Sequence, residues 1–412
     1  MKEHILNFLN DPGQLERMYR NDKSGFRRDF MHLYPELANN PIAAYWYERL
    51  RFETDEIDWG SRTEWVMIAL AVLVAGVTAK LPAIFSIDEE FFYTRNLGFI
   101  IFPALATFFA YRQKLSIGKT AFIVGSALVG LIYINAFPDN NQSDTLTLTC
   151  THLLIYLWFI LGVAFVGDKN SPSARLAYVK YSGDLVVITG LFVIAGGLLS
   201  AITIGLFSLL GMNIEEFYFQ NVVICLLPAA PLLGTFLILK NPQLIGKIAP
   251  TIARIFSPLV LVMLAVYLFA IAYSGKDPYN DREFLLFFNA LLLGVMVIIF
   301  YAVAGRTNAT SRMELWVLLL LSMLTIVVNG IALSAILFRI AEWGITPNRA
   351  AVLGANVLIL IHLGMVTIQL YLTTFRTNDL SAVGKTLVSY LPVYLIWAVI
   401  VSFIFPFIFN FT

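Results

Sequence analysis

From Trp65 to the end, long apolar runs alternate with short polar breaks. Crossing ~30 Å of bilayer hydrocarbon takes roughly 20 helical residues. Eleven runs approach that length: about 65–81, 97–111, 118–137, 146–167, 184–210, 217–239, 254–273, 284–304, 313–338, 347–373 and 387–409. Their continuity predicts helices, because strands of a membrane barrel alternate apolar and polar positions. The second run contains Pro103 and the sixth Pro228 and Pro231, so a kink or break is expected in the sixth. The expected fold is all-α: a polytopic transmembrane helical bundle of about eleven spans over 61–412.

Residues 1–60 follow another pattern. Charge is concentrated there, and apolar positions mark three short helices. One follows Pro12 and carries Leu15, Met18 and Tyr19; the next carries Phe26, Phe30 and Leu33. The third is entered through Asn40-Pro41, an N-cap followed by proline at the first helical position, and places Ile42, Trp46 and Leu50 on one face. About 60 residues make a marginal core, so this small soluble unit is expected to lean on the membrane domain. The acidic stretch Glu53-Thr54-Asp55-Glu56-Ile57-Asp58 reads as the connector.

Composition agrees with the pattern. Of 412 residues, 58% are hydrophobic and 13% charged, and the mean hydropathy is +0.76. Soluble domains run at about 45–50% and about 25%, so soluble globular, disordered, collagen-like and disulfide-scaffold classes are excluded. Cys150 and Cys225 lie inside apolar runs and form neither a disulfide framework nor a metal spacing. The opening residues Met1–Gly13 lack the roughly 7–15-residue apolar stretch of a signal peptide.

Loop charge then sets an orientation. With the N-terminus in the cytoplasm, inner loops hold Arg112, Lys114, Lys119, Lys169, Arg175, Lys180, Lys240, Lys247, Arg254, Arg306, Arg312, Arg376 and Lys385. Outer loops hold Arg95, Lys276, Arg282, Arg339 and Arg349, and are acidic or uncharged at 87–90 and 138–141. An odd number of spans leaves Thr412 outside.

Carboxylates inside a bilayer point by default to ion coupling, so their positions matter. Ser61-x-x-Glu64 and Ser311-x-x-Glu314 match capping boxes. Asn213-x-x-Glu216 and Asn280-x-x-Glu283 are looser versions, and Ser182 is placed to cap span five with Asp184 in its first turn. A negative side chain at a helix N-terminus complements its dipole and unpaired amides. The carboxylates are thus expected at span borders, which weakens a carboxylate relay for proton-driven transport.

Uncharged groups form stripes within the spans. Span four carries Thr145, Thr149, His152 and Tyr156 at helical spacing, and span nine Ser322, Thr325 and Asn329. Span ten carries Asn356, His362 and Gln369, span eight Asn289, and span eleven Tyr390 and Tyr394. One reading is a polar path lined by His152, Thr149, Asn289, Thr325, Asn329, Asn356, His362 and Gln369. The other is hydrogen bonding between helices, worth ~0.6–2 kcal/mol per contact in membranes. Gly196, Gly197, Ser200 and Thr203 of span five point to close helix packing.

Other motifs fall away. Gly118-Lys119-Thr120 and Gly384-Lys385-Thr386 lack the earlier glycine and the preceding strand of a phosphate-binding loop. Asn141-Gln142-Ser143 matches a sequon at chance frequency. No catalytic constellation, metal set, cofactor motif or nucleic-acid surface stands out.

Between spans nine and ten stands Arg339-Ile340-Ala341-Glu342-Trp343-Gly344-Ile345-Thr346-Pro347-Asn348-Arg349. It resembles the signature Arg-Ile-x-x-aromatic-Gly-Leu/Ile-Thr-x-x-Arg of a family of multi-span bacterial membrane proteins known as a domain of unknown function. The N-terminal helices around Gln14–Tyr19 and Asn40–Ala44 resemble the leader of its Bacteroidetes-type members. The resemblance implies a bacterial inner membrane and no particular chemistry. In the segment itself, Gly344 suits a turn, Thr346 a cap and Pro347 the first helical position. Arg339, Glu342 and Arg349 are left either as an anion or lipid-headgroup site or as a Glu342–Arg349 ion pair locking the loop.

Two functions remain in view. One is translocation of a small solute or lipid through the polar path. The other is a membrane-embedded sensor or assembly partner whose N-terminal unit, rich in Tyr45, Trp46, Tyr47, Arg49 and Arg51, binds another protein. Membrane lipids are expected partners in both. A lipid-acting enzyme ranks last for want of a nucleophile or acid pair.

Overall fold

The computed structural model describes residues 2–37, 39–51, 60, 62–140, 142–168, 170–209, 212–242, 248–274, 282–304, 312–377 and 380–412. Among these, every regular element is a helix. The chain divides into two compact units, Met1–Asp58 and Trp59–Thr412. The connector over 53–58 lies outside the described residues, as do Ser61, Asn141, Lys169, Lys247, Lys276, Asn280, Arg306 and Ser311, with the caps, loop charges and sequon assigned to them.

The first unit holds α1 (Lys2–Asn7), α2 (Pro12–Asn21), α3 (Lys23–Leu37) and α4 (Pro41–Arg51). Asp11 caps α2 by accepting from the amides of Gly13 and Gln14. Asn40 caps α4 by accepting from Ile42 at 2.8 Å and Ala43 at 3.3 Å, as the Asn-Pro signature predicts. The core gathers Leu15, Phe26, Phe30, Trp46 and Leu50. It also takes Ile5 from α1, an element that the sequence pattern does not announce. Tyr34 and Tyr47 stack at 3.7 Å between centroids.

The second unit begins with α5 (Arg62–Ala79), α6 (Leu81–Phe85), α7 (Glu89–Arg112), α8 (Ile117–Asn135), α9 (Asp144–Val166) and α10 (Pro172–Leu209). The sixth apolar run breaks at Leu227–Pro228, as its prolines predict. It reads as α11 (Glu215–Tyr218), a π-helical turn (Phe219–Val223), α12 (Ile224–Leu226) and α13 (Ala229–Lys240). Then follow α14 (Ile248–Ser274), α15 (Arg282–Ala304), α16 (Arg312–Trp343) and α17 (Pro347–Leu372). The chain ends in α18 (Ser381–Ser389), α19 (Leu391–Val399), a π turn (Ile400–Ile404) and α20 (Phe405–Ile408).

Among the described residues, seven helical stretches are long and apolar enough to cross a membrane: Ile117–Asn135, Asp144–Val166, Pro172–Gly205, Glu215–Lys240, Arg312–Trp343, Pro347–Arg376 and Ser381–Ile408. The other four apolar runs fall in shorter stretches, Glu64–Ala79, Ile255–Val266 and Leu291–Val303, and in the C-terminal part of α7.

Two cores organise this unit. One joins α5, α7, α8, α9, α10 and α13 around Phe109, Leu157, Leu161, Tyr181 and Leu232. The other joins α14 to α18 around Leu264, Leu292, Val328, Leu363 and Leu387. Helix α10 serves both, with Tyr178 and Ile188 in the first and Val187 against the second. In a bilayer such contacts are held by dispersion and close fit rather than by escape from water. The C-terminus closes back on α9: the Thr145 amide donates to the Thr412 carbonyl at 2.9 Å, and Ser143 Oγ donates to the Phe411 carbonyl at 3.0 Å.

Two sequence expectations are corrected in α10. It starts at Pro172 rather than near Asp184, so Ser182 is no cap; its hydroxyl donates to the Tyr178 carbonyl one turn back. Ser171 holds the cap position instead, accepting from the Ala174 amide at 3.2 Å ahead of Pro172. The small-residue face also stays open: a Cβ built on Gly196 or Gly197 meets no atom within 4 Å. The hydroxyls of Ser200 and Thr203 bond carbonyls of their own helix, and Ser200 Oγ also reaches the Tyr218 hydroxyl at 3.5 Å.

Candidate functional site

The span-nine stripe is buried in α16. Ser322 and Thr325 satisfy their hydroxyls on carbonyls of their own helix, Leu319 at 2.8 Å and Leu321 at 2.6 Å. Asn329 reaches across to α17, its Nδ2 donating to the Asn356 carbonyl at 3.2 Å. Asn329 Oδ1 and Asn356 Nδ2 are both buried without a hydrogen bond. Asn289 Oδ1 of α15 is buried and unpartnered as well. Such groups are uncommon because each costs about 1–3 kcal/mol.

His362 of α17 is fully buried in an aromatic cage. Its Nδ1 lies 3.0 Å from the Tyr394 hydroxyl. Tyr390 stacks on the ring at 4.6 Å, and Phe300 of α15 meets its edge at 5.0 Å. Nε2 has no hydrogen bond of ordinary geometry, the Leu387 backbone being the ring's other polar neighbour. An imidazole offers one donor and one acceptor when neutral.

The span-four stripe divides. Thr149 donates to the Ser402 carbonyl at 3.3 Å, which ties α9 to the C-terminal segment. His152 Nδ1 pairs with its own helix at the Leu148 carbonyl, 2.8 Å away. Tyr156 turns to α8 and donates to the Ser126 carbonyl at 3.2 Å. Ser402 Oγ and Trp397 Nε1, on the same segment as Tyr394, are buried and unpartnered. Trp397 fits only because residue 354 is glycine: a Cβ there would lie 2.1 Å from its ring.

The structure therefore brings Asn329 onto Asn356, His362 onto Tyr390 and Tyr394, and Thr149 onto Ser402. It does not bring His152 to any of these, and Gln369 of α17 is half-buried without a described hydrogen bond to them. Two hollows stand out elsewhere. One, of about 610 Å³, lies in the first unit against Glu16, Tyr45, Trp46 and Arg49. The other, of about 250 Å³, lies between α7 and α9.

A buried acid escapes the sequence reading. Because α10 starts early, Asp184 sits well inside the helix with 3% of its surface exposed. It accepts a hydrogen bond from the Tyr301 hydroxyl of α15 and forms no ion pair among the described residues. Gly183 lets the Tyr301 ring press against α10, where a Cβ would collide with it. Around this pair, Trp158 Nε1 donates to Ser182 Oγ at 3.0 Å, and Tyr181 and Thr235 share a 2.7 Å hydrogen bond. Asn170-Ser171-Pro172, a cap followed by proline, was the available signal for the true helix start.

The hairpin between α16 and α17 is built as its residues suggest. Gly344 takes φ +75°, Thr346 Oγ1 accepts from the Arg349 amide, and Pro347 opens α17. Arg349 does not pair with Glu342. Its Nη1 donates to the carbonyls of Trp343 at 2.9 Å and Gly344 at 2.7 Å. Both guanidinium carbons converge on the Trp343 ring, Arg339 at 5.5 Å and Arg349 at 5.6 Å from its centroid.

Among the described residues no group of histidine, cysteine and acidic side chains is placed to hold a metal, and both cysteines are free. Compared with protein-family models, curated proteins and solved structures, the chain finds no match.

Proposed function

We propose that the protein is a bacterial inner-membrane protein of the unknown-function family that the Arg339–Arg349 segment resembles. In this reading it crosses the bilayer eleven times, with the N-terminus in the cytoplasm and Thr412 outside. It translocates a small polar solute or a lipid between α15, α16, α17 and the C-terminal segment. The supporting observation is the set of unmet polar atoms at Asn289, Asn329, Asn356 and His362, all residues of the polar path expected from the sequence. Within hydrocarbon an unmet polar group is costly. Water or a polar headgroup passing between these helices removes that cost, and Ser402 and Trp397 extend the same need toward α9.

The test uses vesicles of phosphatidylethanolamine and phosphatidylglycerol carrying the purified protein. Exchange of a fluorescent phospholipid and osmotic uptake of glycerol are read side by side. At least one should exceed protein-free vesicles and fall at least tenfold in Asn329→Ala and His362→Ala proteins that still fold. Wild-type vesicles that match empty ones in both assays contradict the reading.

A second reading, a membrane-embedded assembly partner, is favoured by one feature. The hollow in the first unit is lined by Pro12, Glu16, Arg20, Tyr45, Trp46 and Arg49, and Tyr45 is 71% exposed at its edge. Exposed aromatic and arginine side chains are the anchors that protein interfaces favour.

A further inference from the structure

We infer that Arg339, Trp343 and Arg349, at the turn between α16 and α17, form a binding site for a phosphate group carried by an anionic lipid or free in solution. The site does not depend on the translocation path: it shares no residue with it.

Arg349 is a held donor. A guanidinium has five N–H donors in a fixed fork, and the two on Nη1 are spent on the carbonyls of Trp343 and Gly344. Those bonds immobilise the group and leave Nε and Nη2, the edge that grips phosphate through two parallel hydrogen bonds. Arg339 brings a second positive charge to the same indole from the end of α16. The segment's one acid, Glu342, is exposed and forms no ion pair with Arg349, so the Arg349 charge is not cancelled across the turn.

The surroundings suit a headgroup. Trp343 is 50% exposed, and Leu337, Phe338 and Ile345 beside it are also exposed. A tryptophan with arginines at the end of an apolar helix hairpin is the pattern of the membrane–water boundary. There a phosphate meets the guanidinium edge while its acyl chains run along the apolar side chains.

The test is native mass spectrometry of the detergent-purified protein with phosphatidylglycerol, phosphatidylcholine and inorganic phosphate as probes. Wild type should retain phosphatidylglycerol about tenfold better than phosphatidylcholine, and Arg349→Gln should lose that preference. Arg349→Lys keeps the charge without the fork and should recover only part of it; Glu342→Gln should equal or exceed wild type. Displacement of the lipid by inorganic phosphate assigns the site to the free anion, and persistence assigns it to the lipid. Equal retention of both lipids by wild type overturns the proposal, as does an unchanged preference in Arg349→Gln with native helix content.

Discussion

Tyr301 decides how Asp184 is tolerated. A carboxyl buried in a helical bundle, with no ion pair among the described residues, is held by whatever donors reach it, and here the donor is the Tyr301 hydroxyl. Tyr301→Phe removes that donor and keeps the ring that packs on Gly183. The expected result is a loss of about 1–3 kcal/mol in thermal or denaturant unfolding, and an unchanged unfolding curve contradicts it. Sequence reasoning found His362, Asn329 and Asn356 because each needs only the 3.6-residue period and a place near mid-span. It missed the Asp184–Tyr301 pair because the partners stand 117 residues apart, and no local pattern links them.

At the scale of elements, α2 and α4 are tied by Glu16, which accepts from Arg20 at 2.8 Å and meets Arg49 at 2.9 Å. The Arg20 hydrogen bond, followed by the charge of Arg49, holds the Glu16 carboxyl below its usual 4.5. A folded-state value below the unfolded one adds stability above the ordinary carboxylate range. That stability is lost as pH falls through the folded value. Hydrogen exchange of the full-length protein should therefore show protection in α2 and α4 falling as pH drops below about 4. In Glu16→Gln that pH dependence should flatten; equal slopes in both proteins contradict the account. Element boundaries were legible where a cap precedes a proline, as at Asn40-Pro41 and Thr346-Pro347. The same signal at Ser171-Pro172 was overridden because the apolar run begins twelve residues later, at Asp184.

For the whole molecule, helical class and apolar character follow from the run pattern, and among the described residues seven membrane-length helices carry them. Which helices meet is another matter. The return of the C-terminal segment to α9, through Thr149–Ser402 and Thr145–Thr412, joins residues more than half the chain apart, and hydropathy holds no record of it. The polar stripes were visible as stripes, but their facing partners belong to this long-range packing.

The central claim is that water reaches Asn329, Asn356 and His362. In a background with Cys150 and Cys225 replaced by serine, single Asn329→Cys, Asn356→Cys and His362→Cys proteins are reacted in vesicles with a small membrane-impermeant thiol reagent. Val327→Cys, on the exposed apolar side of α16, serves as the lipid-facing control. The account predicts labelling at the three path positions at least tenfold faster than at 327. Path positions as inert as the control, in proteins of native helix content, would contradict it.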